Sequence, residues 1–314
     1  MELTFLGTGS AIPTRQRNVA AIAMRLPGRG ELWLFDCGEG TQHRLLGTSL
    51  RPPQIRRVYV SHLHGDHVYG LPGLLTSLGM LGVDRPVHLH GPAGLAQLVE
   101  TTLSVSQSHC TFPMQVLELA TGLVMRDGDL TVTCRELAHG VPSFGFRVEE
   151  EPRPGRLDAK RAAELGVPEG PLLGILKAGG TVGLPGGRRI DGAALCGPPV
   201  PGRVVTICGD TAPCEAAVEL ARGADLLVHE ATFGEARRVM AAARGHSTAA
   251  QAAEIARRAG ARRLLLTHFS ARYQEGGAET VDDLLAEARA VFPATDAAHD
   301  LLTVLVPLPA APDG

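Results

Sequence analysis

The chain lacks most of what would mark it as secreted, membrane-bound or broadly basic. Its six cysteines, at 37, 110, 134, 196, 208 and 214, form no C-x-x-C pair and no framework spacing. They read as reduced thiols and predict a cytoplasmic protein. No apolar run approaches the roughly 18 residues that a membrane span needs, which predicts no membrane partner. Met1–Leu6 has no basic flank of the kind that opens a secretory signal. The formal charge is −3, so any polyanionic partner must be met by a local basic patch, not by the average. Gly7-Thr8-Gly9-Ser10 falls short of a full P-loop and reads first as a tight turn. What remains is 314 residues, 44% hydrophobic and 20% charged. That is enough chain for one large domain or two ordinary ones with a buried core.

Against this plain background one stretch stands out: Ser61-His62-Leu63-His64-Gly65-Asp66-His67. It follows Arg57-Val58-Tyr59-Val60, whose β-branched and aromatic residues predict a strand. His62 and His64 are two apart and point the same way in extended backbone. Gly65 permits a sharp turn, beyond which Asp66 and His67 emerge. The pattern packs four ligand-type side chains into six residues, a density that suits two adjacent metal ions. Imidazole with carboxylate favours zinc, with manganese also possible. One such motif offers too few donors for two ions, so others must come from downstream.

Downstream, ligand-type residues recur directly after apolar strands: His139, Asp210, His229 and His268. Strand ends on one edge of a sheet converge, so donors far apart in the chain can build one site. His88 and His90 repeat the H-x-H spacing but lack a carboxylate or further ligand, and are not expected to bind metal. Helices are predicted at 96–103, 214–222, 248–259 with Ser247 as its cap, and 279–291. The last eight residues are expected to fray.

From about 150 to 200 proline and glycine become frequent. Between Arg153 and Arg189 seven Lys or Arg stand against three Asp or Glu. The plain reading is a solvated connecting loop. The sharper one is an arm that contacts a polyanion, because a structureless segment this long inside a domain is usually functional.

Taken in order, these residues resemble the metallo-β-lactamase superfamily: Phe5-Leu6-Gly7-Thr8-Gly9, the 61–67 cluster, His139, Asp210 and His268. Further motifs resemble the short form of the ribonuclease Z family of tRNA 3′-processing endonucleases. They are Pro13-Thr14-Arg15-Gln16-Arg17-Asn18, Leu34 to Gln42, Gly166 to Pro171, Gly209-Asp210-Thr211, His229 to Phe233, His246-Ser247-Thr248 and Leu266 to Tyr273. The resemblance implies an α/β fold, an αβ/βα sandwich formed by one domain over 1–314 with a protruding arm inserted at 150–200. It implies two zinc ions, one held by His62, His64 and His139, the other by Asp66, His67 and His268, with Asp210 bridging. The expected reaction removes the 3′ trailer of precursor tRNA. Asp66 would orient or deprotonate the attacking water. His246 would protonate the leaving oxygen, kept charged by Glu230, and His229 would orient a ligand. Arg15, Arg17 and Asn18 would lie near the RNA 3′ end. Gly166, Pro168, Gly170 and Pro171 would belong to an arm that holds tRNA in a cytoplasmic homodimer. Arg15 replaces the family's usual lysine, keeping the charge but substituting a planar fork for a point donor. The competing readings are a hydrolase of small esters, thioesters or phosphodiesters, and a non-catalytic RNA-binding protein. The basic arm with His246 and Glu230 argues against the first, and the filled donor positions argue against the second.

Overall fold

Two seven-stranded sheets carry the fold, and their face-to-face packing is visible in the aromatic side chains between them. The computed structural model describes residues 1–274 and 276–309; most of the tail expected to fray lies outside these. The first sheet runs Thr303–Leu305, Glu2–Gly7, Ala21–Leu26, Glu31–Phe35, Ile55–Tyr59, Val87–Gly91, Met114–Glu118. The second runs Thr295–Ala297, Leu264–Thr267, Leu226–Glu230, Val204–Ile207, Ser143–Glu150, Leu130–Leu137, Gly122–Asp127.

Residues along each strand alternate between two cores, as the pleat demands. In Glu31–Phe35, Leu32 and Leu34 point outward against Leu71, Leu74, Leu75 and Leu78 of the helix Leu71–Met80. Phe35 faces inward, stacking on Tyr59 at 5.0 Å and meeting Phe146 of the second sheet at 5.8 Å. On the far side of the second sheet, Leu227, Leu264 and Leu266 pack against Ala252, Ala253 and Ala256 of the helix Ala249–Ala259, and Leu284 and Ala288 of Val281–Val291 join them. The result is helix–sheet–sheet–helix, the αβ/βα sandwich.

The strands Val204–Ile207, Leu226–Glu230, Leu264–Thr267 and Thr295–Ala297 are mutually parallel. Strands covered on both faces read as unbroken apolar runs, and Leu226–Glu230 and Leu264–Thr267 are buried throughout. Being parallel, all four end at one edge.

Residues 150 to 200 are not a loop. A compact unit, chiefly Glu149–Arg203, contains the helices Ala159–Glu164 and Pro171–Lys177 and the hairpin Thr181–Gly183 with Arg189–Asp191. Its own core joins Ala162, Val167, Leu176, Val182, Ile190 and Leu195. Thr248, not Ser247, caps Ala249–Ala259, in a capping box with Gln251. Ser247 instead donates to the Thr211 carbonyl at 2.7 Å.

Candidate metal centre

The 61–67 stretch leaves Ile55–Tyr59 as extended chain and turns into the short helix Gly65–Val68. His62 Nε2 and His64 Nδ1 come within 3.0 Å of each other, and His139 Nε2 lies 3.4 Å from His64 Nδ1. On the other side His67 Nε2 and His268 Nε2 are 3.2 Å apart. Asp66 Oδ2 lies 3.6 Å from His67 Nε2 and 3.5 Å from His268 Nε2. Asp210 stands between the two groups: Oδ2 is 3.8 Å from His62 Nε2 and 3.6 Å from His67 Nε2, and Oδ1 is 3.4 Å from His268 Nε2. Gly209 makes this approach possible, since a Cβ there would sit 2.6 Å from that of Ser61. The structure thus brings together all seven donors expected from the sequence, drawn from strand ends spread over the chain.

Nitrogens facing one another at these distances cannot all be protonated donors. Lone pairs aimed at a common point are the arrangement that metal ligands need. Within the described residues the donors form several groups of three whose ligand atoms lie within 4.8 Å of one another, among them His62, His64 and His139, and Asp66, His67 and His268. The residues therefore fit a pair of divalent cations.

The far nitrogen of most of these imidazoles is anchored, as ligand orientation requires. His62 Nδ1 meets Ser61 Oγ at 3.0 Å, and His67 Nδ1 meets Asp36 Oδ2 at 2.8 Å. His139 Nδ1 meets the Gly245 carbonyl at 2.8 Å, and His268 Nδ1 meets Thr232 Oγ1 at 3.0 Å. Sequence reasoning assigned no role to Asp36, Thr232 or Gly245. The group expected to orient a ligand, His229, does not do so: its Nδ1 pairs with the Glu230 carbonyl at 2.8 Å and its buried Nε2 has no hydrogen-bond partner. Ala11, Asp36 and His268 all hold left-handed backbone, with φ of 63°, 59° and 59°. Such strain in residues with side chains concentrates at working sites. Ala11 uses it to aim its N–H at Asp66 Oδ2, 2.8 Å away.

Charge follows the geometry. Burial alone would raise the Asp66 carboxyl, but the hydrogen bond from His268 and the charges of His67 and His268 hold it well below the usual range. Burial opposes ionisation of Asp210 too, and the imidazoles around it win. Burial, then the neighbouring His67, keeps His62 neutral. His246 is the opposite case. Burial disfavours its charged form, yet the 2.8 Å bond to Glu230 Oε1 and the carboxylates of Glu230, Asp210 and Asp66 raise it to about 9.

Of the expected substrate-contacting residues, Arg15 is exposed. Arg17 turns inward, donating to Thr8 Oγ1 at 2.7 Å and to the Ala298 carbonyl at 2.8 Å. Asn18 donates to the Glu39 carbonyl at 2.8 Å. Gly166, Pro168 and Gly170 are exposed in the link between the two helices of the 149–203 unit, and Pro171, also exposed, opens the second of them. All seven basic residues counted between Arg153 and Arg189 are exposed as well. Among the described residues no helix is long and apolar enough to cross a membrane.

Comparison with known proteins adds a second line. A family profile described as "Beta-lactamase superfamily domain" matches residues 196–269, and one described as "Anti-Pycsar protein Apyc1" matches residues 1–121. Ribonuclease Z of Synechococcus sp. (strain WH7803) is 52% identical, covering 97% of this chain and 96% of that protein. Ribonuclease Z of Trichodesmium erythraeum (strain IMS101) is 50% identical, covering 98% and 96%. The crystal structure of human tRNase Z, short form, matches with a TM-score of 0.71 at 30% identity, over 98% of this chain and 100% of that one.

Proposed function

This chain belongs to the ribonuclease Z family, as a metal-dependent endoribonuclease, and from that premise we propose that it removes the 3′ trailer of precursor tRNA with two zinc ions per subunit. The observation that carries the proposal is the meeting of seven donors from strand ends of both sheets beside the buried Glu230 and its half-buried partner His246. A hydrolase of activated small esters has no need for that pair, because its leaving group departs without a proton. A ribose oxygen does need one.

In this reading His62, His64 and His139 would hold one ion and Asp66, His67 and His268 the other, with Asp210 between the two groups. Such a pair would supply acidification of the attacking water and would offset the charge that builds on phosphorus. Asp66, with its Oδ2 fixed by Ala11 N–H, orients or deprotonates the attacking water. The water oxygen bonds to phosphorus as the bond from phosphorus to the tRNA 3′ oxygen breaks. Glu230 occupies His246 Nδ1, which leaves Nε2 to give its proton to that departing oxygen. The products are a tRNA 3′-hydroxyl and a trailer with a 5′-phosphate.

The 149–203 unit is proposed to bind the tRNA body. Its exposed cations suit phosphate contacts that give affinity without reading sequence, and shape recognition suits structured RNA. Assembly as a homodimer belongs to the same proposal. Purified protein assayed on precursor tRNA beside an ester panel, with elemental analysis of the same sample, tests it. Expected are trailer release with a 5′-phosphate and two zinc per chain. Turnover of esters alone would reject the RNA reading.

A further inference from the structure

Four parallel strands end at the site edge, but only three contribute to the centre described above. Asp210 follows Val204–Ile207, Glu230 ends Leu226–Glu230, and His268 follows Leu264–Thr267. The fourth, Thr295–Ala297, pairs in parallel register with Leu264–Thr267, Leu266 lying opposite Ala297. Its continuation, Ala298-His299-Asp300, therefore leaves the sheet beside His268, at a spacing of about 5 Å between neighbouring strands.

A cleft of about 640 Å³ opens there, lined in part by Gln16, Arg17, Tyr273, Asp282 and His299. That volume lies within the range of small-ligand sites, about 300–1,000 Å³. Phe269, the residue after His268, packs under the Arg17 guanidinium at 4.7 Å. The Phe269 ring thus ties Arg17, on the cleft wall, to the segment that carries His268.

We propose that this cleft is a subsite for one unpaired ribonucleotide next to the scissile phosphate, with His299 as the surface on which its base stacks. The inference rests on the RNA-cleaving reading given above. The cleft's chemistry selects the occupant. His299 is exposed, and its ring is held by a 3.0 Å contact from Nδ1 to the Asp300 carbonyl. A fixed, accessible planar ring is a platform for a base that has left its own stack. Asp282 is exposed in the cleft, whereas the Asp300 carboxylate is taken up by Thr8, Asn18 and Arg44. The exposed Asp282 carboxylate suits a base amino group or a ribose 2′-hydroxyl better than a phosphate. The phosphate of that nucleotide is left outside the cleft, on the side of His268. Arg17, pinned to Thr8 and the Ala298 carbonyl, closes the inner end and gives the cleft a rigid wall.

The experiment compares wild type, His299→Ala and His299→Phe on precursor tRNA, and on precursors made abasic at each nucleotide flanking the cut. Loss of one stacked base raises KM about tenfold to a hundredfold. His299→Ala is expected to show that rise, His299→Phe to restore most of it, and hydrolysis of bis(p-nitrophenyl) phosphate to stay unchanged in both. An abasic site at the bound position should penalise wild type equally and His299→Ala no further. Wild-type KM in His299→Ala, or an abasic penalty that persists undiminished in it, overturns the subsite while leaving RNA cleavage standing. Failure of wild type to cut the unmodified precursor refutes the parent reading, and the subsite with it.

Discussion

Glu230 divides its two oxygens among four hydrogen bonds. Oε1 accepts from Thr211 N at 3.0 Å and pairs with His246 Nδ1 at 2.8 Å; Oε2 accepts from Thr232 N at 3.1 Å and Thr232 Oγ1 at 2.6 Å. Glu230→Gln keeps the shape but removes the charge that holds the His246 proton. We expect kcat on precursor tRNA to fall about 10²–10⁴-fold with little change in KM. Bis(p-nitrophenyl) phosphate, whose leaving group needs no proton, should be cut at near wild-type rate. Equal loss on both substrates would make Glu230 a scaffold residue. The same pair has a stability signature in the metal-free protein. His246 titrates near 9 when folded against 6.5 as its ordinary value. A raised pKa favours the charged folded form, so its contribution, a few kcal/mol at most by linkage, is complete below about 6.5 and fades as pH climbs through 9. Urea melts of chelated wild type and His246→Asn should differ at pH 6 and converge by pH 10; a gap that widens with pH contradicts this. The donors themselves were readable from the sequence, because imidazoles and carboxylates repeat after apolar runs. The partners of their far nitrogens were not. Nothing local tells Asp36 that it faces His67 or Thr232 that it faces His268; only closure of the sandwich does.

Among elements, three of the four parallel strands are legible as continuous apolar runs, and the helices predicted at 96–103, 214–222, 248–259 and 279–291 lie within a few residues of those observed. Three strands of the two large sheets escaped, Thr295–Ala297 among them because Thr-Asp-Ala carries no apolar run. Ala21–Leu26 is apolar without alternation and is indistinguishable from a buried helical turn. Gly122–Asp127 lies at a sheet edge with none of its residues buried, so it carries little hydrophobic signal. The helices of the 149–203 unit leave no sequence signal because they span only six and seven residues, too short for a 3.6-residue period to repeat. Asp300 illustrates how the connections are fastened. It accepts from Thr8 N at 3.0 Å, Thr8 Oγ1 at 2.7 Å and Asn18 N at 2.7 Å, and pairs with Arg44 at 3.1 Å, with its side chain 4% exposed. Asp300→Ala strands those donors and should cost about 3 kcal/mol or more, read as a lower thermal midpoint. A shift within error would mean that water replaces the carboxylate at no loss.

For the whole molecule, the division into two units predicts separable tasks. Deleting 152–190 should weaken precursor binding strongly while sparing bis(p-nitrophenyl) phosphate hydrolysis, and the binding that is lost should be the salt-sensitive part. Under the proposed dimer, one subunit holds the RNA that the other cuts. Mixing full-length Asp66→Ala with the deletion variant, each nearly inactive alone on precursor tRNA, should then recover cleavage. No recovery after subunit exchange would mean that each chain serves its own site.

The seven donors run from position 62 to position 268, and this has a consequence for biosynthesis. A nascent chain that has delivered only its amino-terminal half owns five of them and lacks Asp210 and His268, so a cation it meets is held loosely and let go. Tight loading waits for the last parallel strands to dock. Cation content per chain is thus a gauge of completed folding, and a subunit with either sheet misassembled should reach the cell's pool of molecules unloaded.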